Sequence, residues 1–411
     1  MGEKGGGEED MEQTEIPPGA VSTDENPYAP EYAIDPFPFY ERMRKLAPVV
    51  WLEKVGVWAT FSDQVCREVV TDWERFGNAG GGGVANYYRE KPWREPSVVF
   101  EVDPPDHTRT RRVLSRLLSP RTVRTLTDIT AAAAREHVSK AYAKGEFDFV
   151  ADLSKPLILK ILPDAVGLPA EGRENIITYN KYMIKGRTFG RHNPWTDEEL
   201  EESARVQEWI QNTCNRDAIA PDGLGAQIYQ AADAGEISHH EADMLVRSFL
   251  SAGTDTTFGT ISNAIVFLLS NPEQWKLLRS QPTLARNAFD ESLRYRSPAQ
   301  TIARNTRMEL DFHGTHLGQY DKVIAFVGSA NRDPDKWEDP DAYKIERNAT
   351  GHLGLGTGIH GCVGQMIARM EGEQLLAEVA RRSEALAFTD EPFSWMSSGR
   401  AIAKVPVKVV N

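Results

Sequence analysis

The chain has 411 residues, of which 40% are hydrophobic and 26% are charged, as is ordinary for a globular protein. A net charge of −13 argues against a nucleic-acid partner, because phosphate binding requires a basic face. Three cysteines supply no disulfide framework, and no run of about 18 apolar residues could span a membrane, so we expect a soluble cytoplasmic protein.

Residues 1–25 are polar and rich in glycine, and we predict that they form a disordered tail. Residues 26–411 contain no internal repeat or linker and are predicted to form one domain. Two strand-like segments come first, at 48–53 and 55–61. Helical patterns then dominate, at 62–73, 120–145, 196–215 and 239–270, before short strands return at 308–327 and near the C-terminus. The predicted fold class is therefore mainly α (α+β).

The segment at 239–270 is the longest predicted helix, and its second half is apolar on all sides. Asn271-Pro272 ends it, because the residue before a proline is disfavoured in a helix. A helix of this length and hydropathy is predicted to cross the centre of the molecule.

Residues 354–364 read GLGTGIHGCVG and fit two kinds of site. Gly356, Gly358 and Gly361 match the G-x-G-x-x-G pattern of dinucleotide-binding loops, but no apolar strand precedes them and the segment about 20 positions later is still helical. Cys362 instead precedes a predicted helix at 362–382, where the helix dipole and free N–H groups would acidify its thiol. A lone thiolate suits haem iron rather than a four-cysteine site, although Cys362 alone does not distinguish this from a buried free cysteine.

The loop around Cys362 resembles the cysteine loop of the cytochrome P450 superfamily of haem-thiolate monooxygenases, with Leu355 in place of the family's usual phenylalanine. Three further segments match the family in the expected order along the chain: AGTDTT at 252–257, ESLRYRSP at 291–298, and the segment 330–341. The resemblance covers about residues 27–411 and implies the single-domain, triangular fold of that family. The matching loop residues are Gly356, Gly358, His360, Cys362 and Gly364, and the residues that resemble the family's buried charge triad are Glu291, Arg294 and Arg347.

The resemblance also implies a cofactor, heme b (iron protoporphyrin IX), with Cys362 as the ligand of its iron. Electrons would come from a separate ferredoxin and an NAD(P)H-dependent ferredoxin reductase. An acidic ferredoxin could dock on the basic residues near position 107, which otherwise form an ordinary basic helix face: Arg109, Arg112, Arg116 and Arg121. The residues that would bind the haem propionates are His107, Arg111, Arg304 and His360.

The AGTDTT segment places polar side chains within an otherwise apolar helix. Ala252 and Gly253 are small, so a ligand could lie against the helix there. Asp255 and Thr256 need partners if they are buried, and Thr256 could simply bond to the carbonyl of residue 252. The resemblance implies a catalytic role instead, in which Thr256 holds dioxygen and a water while Asp255 relays protons.

Two segments, at 88–109 and 245–257, resemble the branch of the superfamily that oxidises para-substituted benzoates, for example by removing a methyl ether. Ser248 and Thr256 are eight residues apart, about 12 Å along a helix, so a carboxylate held near Ser248 would place the far side of an aromatic ring near the oxygen. Gly186 and Ala303 replace aromatic residues of that branch, which predicts a roomier pocket. The residues implied to bind the substrate are Arg94, Ser97, Phe189, Arg247, Ser248, Ala252 and Ala303.

Other functions fit parts of this pattern. The same enzyme class could act on an unrelated apolar substrate, such as a terpenoid or a fatty acid. A haem protein that only senses or binds a gas would belong to another functional class, although the Asp255–Thr256 pair argues against it. In a third alternative, the protein binds no haem and the match to the cysteine-loop motif is accidental.

Overall fold

The computed structural model describes residues 15–92, 94–188, 195–396 and 401–410. Helices form most of this part of the chain. They are α1 (Pro30–Ile34), α2 (Phe37–Leu46), α3 (Asp63–Thr71), α4 (Asp106–Leu117), α5 (Pro120–Tyr142), α6 (Lys155–Val166), α7 (Asn175–Thr188), α8 (Asp197–Cys214), α9 (Leu224–Asp233), α10 (His239–Ser270), α11 (Pro272–Ser280), α12 (Ala285–Arg296), α13 (Val327–Ala330) and α14 (Gln365–Ala380).

The strands are short and form small sheets. They are β1 (Ser22–Thr23), β2 (Val50–Leu52), β3 (Val57–Thr60), β4 (Phe76–Gly77), β5 (Glu146–Asp148), β6 (Ile302–Thr306), β7 (Leu310–Phe312), β8 (Thr315–Leu317), β9 (Lys322–Ala325), β10 (Ala385–Phe388), β11 (Ser394–Trp395), β12 (Ile402–Lys404) and β13 (Pro406–Val410). The main sheet has the order β1-β2-β3-β9-β6-β4. The predicted α+β class is thus confirmed.

The long central helix begins and ends where the sequence predicts. Ser238 caps α10 and forms a reciprocal capping box with Glu241, and the helix stops at Ser270, just before Asn271-Pro272. Its N-terminal half packs in a core with α7, α8 and α9, and its C-terminal half packs in a second core with α5, α12 and α14. The helix therefore passes between the two largest apolar clusters of the described residues.

The structure of residues 22 and 23 contradicts the predicted boundary of the tail at residue 25. Ser22 and Thr23 form β1, which pairs in parallel with β2, and the Ser22 hydroxyl donates to Glu53 Oε1 at 2.6 Å. Backbone hydrogen bonds to a strand edge order this segment, and its polar composition gave no sign of them. Residues 1–14 lie outside the described residues.

None of the helices in the described part of the chain combines the length and hydropathy that crossing a membrane requires.

Candidate active site

Cys362 lies at the end of a tight glycine turn that leads into α14. Gly356 and Gly358 have φ angles of 64° and 67°, which residues with a side chain rarely adopt. A Cβ atom at Gly358 would lie 3.1 Å from the Cα atom of Thr71. The N–H of Cys362 donates to Leu355 O at 2.8 Å. The glycines thus let the backbone fold tightly ahead of the thiol.

Burial raises the pKa of the Cys362 thiol, although the N–H of Gly364 and the charges of Arg111 and Arg369 oppose this rise. The sequence predicted the opposite direction from the helix dipole. The helix begins only at Gln365, three residues beyond the sulfur, and desolvation outweighs its field. The thiol must therefore lose its proton when it binds a metal.

A buried charge triad supports the cysteine loop. Arg294 donates to both carboxylate oxygens of Glu291 at 2.8 Å, and Arg347 Nε donates to Glu291 Oε1 at 3.2 Å. The side chains of Glu291 and Arg294 are fully buried. Arg294 also donates to Asn331 O at 3.0 Å, and Asn331 Oδ1 accepts from the N–H of Leu353 at 2.7 Å. The predicted triad is present, and Asn331 connects it by hydrogen bonds to the segment that leads to Cys362.

One face of α10 remains accessible near the middle of the helix. Ala252 is exposed, and Ser248, Asp255 and Thr256 are half-buried, at spacings that place them on the same helical face. Gly253 does not belong to this face, because a Cβ atom there would lie 2.4 Å from Leu162 Cδ2 on α6. The small residue Gly253 thus permits close helix packing rather than ligand approach, whereas Ala252 leaves room for a ligand.

Thr256 makes the local hydrogen bond that the sequence left open, from its hydroxyl to Ala252 O at 3.0 Å. Thr254 and Thr257 make the same bond to the carbonyl four residues earlier, at 2.8 and 2.9 Å. Thr256 differs because it lies on the accessible face, whereas those two side chains are buried. Its oxygen can still accept a hydrogen bond from a bound molecule or a water.

His107 and His360 lie side by side, with ring centroids 4.3 Å apart. Both side chains are buried, and neither Nε2 atom has a hydrogen-bond partner in the described part of the chain. Burial, together with the charges of His360 and Arg111, lowers the pKa of His107 to about 4. Asp103 Oδ1 lies 3.9 Å from His360 Nε2, which is beyond hydrogen-bond distance. Two buried imidazole nitrogens are therefore available to a ligand.

Two arginines complete this polar cluster. Arg304, on β6, is buried and donates to Asn78 Oδ1 at 3.1 Å, and burial lowers the pKa of its guanidinium to about 10. Arg111, on α4, donates to the carbonyl of Gly361 in the cysteine loop. Within the described ranges, neither guanidinium forms an ion pair, so each can bind an anionic group.

These residues fit the haem that the sequence resemblance implies. Its propionates are two carboxylates. Among the described residues, the cluster of His107, Arg111, Arg304 and His360 offers two imidazole nitrogens without a hydrogen bond and two guanidinium groups without an ion pair. Cys362 supplies a thiol from a tight, glycine-rich turn. The donor set therefore matches a haem with a single thiolate ligand.

A polar contact joins the loop before α4 to the accessible face of α10. The hydroxyl oxygens of Ser97 and Ser248 are 3.1 Å apart, and Ser97 is buried. Arg94 is buried beside them and forms an ion pair with Glu101 at 2.8 Å, a partner that the sequence did not predict. Arg247 is half-buried and donates to the sulfur of Met244 at 2.6 Å. The structure thus brings together three of the residues predicted to bind the substrate, Arg94, Ser97 and Ser248.

The structure does not bring Ala303 to the site. Successive residues of a strand point to opposite faces, and Ala303 packs in the apolar cluster that contains Phe39 and Phe326. Ile302 points the other way and would lie 3.8 Å from a Cβ atom at Gly356 in the cysteine loop. The prediction was therefore displaced by one residue, and Ile302 is the neighbour of the site. Gly186 is buried on α7, and Phe189 lies outside the described residues.

Ion pairs neutralise part of the predicted basic face. Arg109 makes two hydrogen bonds of 2.6 Å to Glu241, and Arg116 makes two of 2.9 Å to Glu236. Arg112 and Arg121 are exposed, and they form no ion pair with any residue that the structure describes. The face is therefore less positive than a count of its arginines indicates.

Two acidic residues of the segment EVDPP, at 101–105, belong to the site although the sequence did not point to them. Glu101 pairs with Arg94, and Asp103 accepts from the N–H groups of Asn78 and Ala79 at 2.8 and 3.2 Å. Both carboxylates are largely buried. The available signal was the presence of two carboxylates in an otherwise apolar segment shortly before His107.

The model of the Cytochrome P450 family matches residues 203–392. Cytochrome p450 CYP199A2 of Rhodopseudomonas palustris is 44% identical over 362 residues, which cover 88% of this chain and 87% of the relative. The biotin biosynthesis cytochrome P450 of Bacillus subtilis is 26% identical and covers 92% and 97%. A structure of cytochrome P450 CREJ in complex with (4-ethylphenyl) dihydrogen phosphate matches with a TM-score of 0.84 at 27% identity, over 93% and 98% of the two chains. The chain therefore belongs to the cytochrome P450 family of haem-dependent monooxygenases.

Proposed function

We propose that this monooxygenase oxidises an aromatic carboxylic acid at the substituent para to the carboxylate, by hydroxylation or O-demethylation. The observation that carries the proposal is the contact between Ser97 Oγ and Ser248 Oγ at 3.1 Å. It places a polar pair on the same face of α10 as Ala252 and Thr256.

The two hydroxyls present a donor to a ligand. Ser97 Oγ already accepts from the N–H of Phe100 at 3.2 Å. One hydrogen bond between the serines uses one of their two protons, and the described residues offer no further acceptor to the other. A carboxylate is the acceptor that forms the strongest hydrogen bond with such a donor.

The spacing along α10 favours oxidation at the far end of the substrate. Ser248 and Thr256 are separated by about 12 Å of helix, with the exposed Ala252 between them. An aromatic ring held by its carboxylate near Ser248 would lie against Ala252 and point its para substituent toward Thr256. An ortho substituent would stay close to the carboxylate.

The residues divide into binding and proton-handling roles. Cys362 would hold the haem iron, and His107, Arg111, Arg304 and His360 would hold the propionates. When bound, the haem supplies the redox-active iron at which dioxygen is reduced. Thr256 would hold a water beside the reacting oxygen, and Asp255 would relay protons to it.

The proposed reaction balances with two electrons and two protons. One oxygen atom of dioxygen enters a C–H bond of the para substituent, and the other leaves as water. For a methyl ether, the hydroxylated methyl group is a hemiacetal, which releases formaldehyde and leaves a phenol.

The comparison with CREJ is consistent with this substrate class. That enzyme was crystallised with a para-ethylphenyl phosphate, which is also a para-substituted aromatic anion. A purely apolar terpenoid fits this site less well, because it would leave the Ser97–Ser248 pair without an acceptor. A fatty acid carries a carboxylate of its own, so the serine pair does not distinguish it from an aromatic acid. Membership of a monooxygenase family argues against a gas sensor.

A separate ferredoxin and its NAD(P)H-dependent reductase would supply the electrons. Arg112 and Arg121 are the exposed arginines left for an acidic ferredoxin, since Arg109 and Arg116 are paired with glutamates.

Titration of the haem spectrum tests the substrate class. A para-methoxybenzoate should bind about ten- to a hundredfold more tightly than its methyl ester, because loss of a charge-assisted hydrogen bond costs about 1.5–3 kcal/mol. Equal affinity for the acid and the ester would remove the aromatic-acid proposal and leave the monooxygenase assignment intact.

A further inference from the structure

Asn78 is a fully buried asparagine that follows β4 and contacts one of the arginines proposed to bind the haem propionates. Its Oδ1 atom accepts from Arg304 Nη1 at 3.1 Å, and its Nδ2 group donates to the carbonyl of Phe100. A guanidinium can only donate and a carbonyl can only accept, so these two partners fix which end of the amide faces Arg304. The acceptor that Arg304 meets at this position is therefore neutral.

Asp103 holds the backbone of Asn78 in place. Its Oδ1 atom accepts from the N–H of Asn78 at 2.8 Å, and its Oδ2 atom accepts from the N–H of Ala79 at 3.2 Å. A Cβ atom at residue 77 would lie 2.5 Å from Asp103 Oδ2, so the carboxylate can approach this closely because Gly77 has no side chain. The amide of Asn78 thus has a fixed position from which it can orient Arg304.

The guanidinium of Arg304 is bonded to the protein through one of its nitrogens. Nη1 donates to Asn78 Oδ1 and also to Ala303 O at 2.9 Å, which accounts for both of its protons. Within the described ranges, Nε and Nη2 donate to no acceptor. Two bonds from a single nitrogen hold the guanidinium in one orientation and leave the rest of its donors for a ligand.

The charge of Arg304 lies close to the two imidazoles of the cluster. Burial lowers the pKa of both His107 and His360, and the charge of Arg304 contributes to each fall. Burial also lowers the pKa of Arg304, and the charge of Asp103 opposes this fall, although these two side chains form no ion pair in the described part of the chain. The unbonded donors of Arg304 therefore belong to the same cluster as the two unbonded imidazole nitrogens.

We propose that Asn78 is a positioning residue for the haem. It holds Arg304 by Nη1, so that Nε and Nη2 are left for a propionate, and it does so without pairing with the charge of Arg304. A carboxylate at position 78 would instead form an ion pair with Arg304 and compete with the propionate. This inference concerns the cofactor and does not depend on the proposed aromatic-acid substrate.

The test compares haem with its dimethyl ester, in which both propionates are uncharged. The enzyme is loaded with one or the other, and release to an excess of apomyoglobin is followed by the visible spectrum. The ratio of the two release rates, ester over haem, measures how much the propionate charges contribute to binding. In the unmodified enzyme this ratio should be about tenfold or more, because the ester loses charge-assisted hydrogen bonds.

Asn78→Ala should lower this ratio about three- to tenfold, because Arg304 loses the acceptor that orients it. Asn78→Asp keeps the shape of the side chain but pairs with Arg304, so it should lower the ratio at least as far. Asn305→Ala is the matched control. Asn305 is also buried and follows Arg304 on β6, but its side chain contacts Asn86 and Lys322. The control should leave the ratio unchanged, even if it speeds the release of both cofactors.

A double variant tests whether Asn78 acts through Arg304. Arg304→Gln alone should lower the ratio about tenfold, and adding Asn78→Ala should then change it by less than about twofold. A further fall of about threefold or more would mean that Asn78 affects the propionates independently of Arg304, and the inference would be wrong.

The inference would also be overturned if Asn78→Ala released haem and ester faster by the same factor, because Asn78 would then only stabilise the fold. If Asn78→Ala fails to fold, Asn78→Asp and the Asn305→Ala control give the same decision. Equal release of haem and ester from the unmodified enzyme would remove the propionate-binding role of the cluster together with this inference, and would leave the proposed substrate class untouched.

Discussion

The three cysteines have different surroundings, and these predict which one can bind the haem iron. Cys66 is 0% exposed and Cys214 is 2% exposed, and burial raises the pKa of each thiol to about 12. Burial raises the pKa of Cys362 as well, but Cys362 lies in the glycine-rich turn, where the N–H of Gly364 and the charge of Arg111 oppose the rise. We expect Cys362→Ser to abolish the red-shifted absorbance of the reduced carbon monoxide complex. Cys66→Ser and Cys214→Ser should retain it, and loss of the band in either would contradict the assignment.

Thr256 is predicted to deliver protons rather than to stabilise the helix. Thr256→Ala should keep haem and substrate binding but lower product formed per NAD(P)H consumed by about tenfold, with the balance appearing as hydrogen peroxide. Thr257→Ala is the matched control, because Thr257 makes the same backbone hydrogen bond but is buried. Peroxide and product are quantified in the same reaction. Equal coupling in the two variants would show that the Thr256 hydroxyl has only a structural role.

At the scale of elements, α4 joins the haem cluster to a surface of uneven charge. His107 and Arg111 belong to the buried cluster, while Arg109 pairs with Glu241 on α10 and Arg112 stays exposed. We expect Arg112→Ala to raise the KM for an acidic ferredoxin about three- to tenfold at low ionic strength. Arg109→Ala should change this KM much less, because its charge is already compensated. Equal effects of the two variants, or an Arg112 effect that salt does not weaken, would argue against this docking surface.

The elements also show how far the sequence could predict the structure. The end of α10 followed from Asn271-Pro272, because a proline acts locally. The side chain of β6 that faces the cysteine loop was not predicted correctly. A displacement of one residue along a strand exchanges Ile302 for Ala303, and these two side chains lie on opposite sides of the sheet. The Arg94–Glu101 pair depends on how a loop folds back on itself, and no local pattern specifies that partner.

At the scale of the whole molecule, Glu371 on α14 makes stability depend on pH. It is buried, its Oε1 atom has no hydrogen-bond partner in the described part of the chain, and burial raises its pKa from 4.5 to about 8. Between these two values the folded chain retains a proton that the unfolded chain has lost. In that window, this residue therefore lowers the free energy of unfolding by about 1.4 kcal/mol for each unit by which the pH rises.

Glu371→Gln removes this titration. The melting temperature of the variant, relative to the unmodified enzyme, should therefore rise between pH 5 and pH 8. Glu373→Gln, a half-buried glutamate on the same helix, is the control and should show no such trend. A constant difference between Glu371→Gln and the unmodified enzyme across this range would mean that Glu371 is already ionised in the folded state.

The whole molecule arranges the serine pair, the exposed Ala252 and Thr256 along one face of α10, and this arrangement predicts where a substrate is oxidised. The most direct test is product analysis with para- and ortho-methoxybenzoate in a system reconstituted with ferredoxin, reductase and NAD(P)H. We predict that the para isomer yields formaldehyde and para-hydroxybenzoate, with the ring otherwise unchanged, and that the ortho isomer is not demethylated. Demethylation of both isomers at similar rates, or oxidation next to the carboxylate, would contradict the proposed binding of the acid at Ser97 and Ser248.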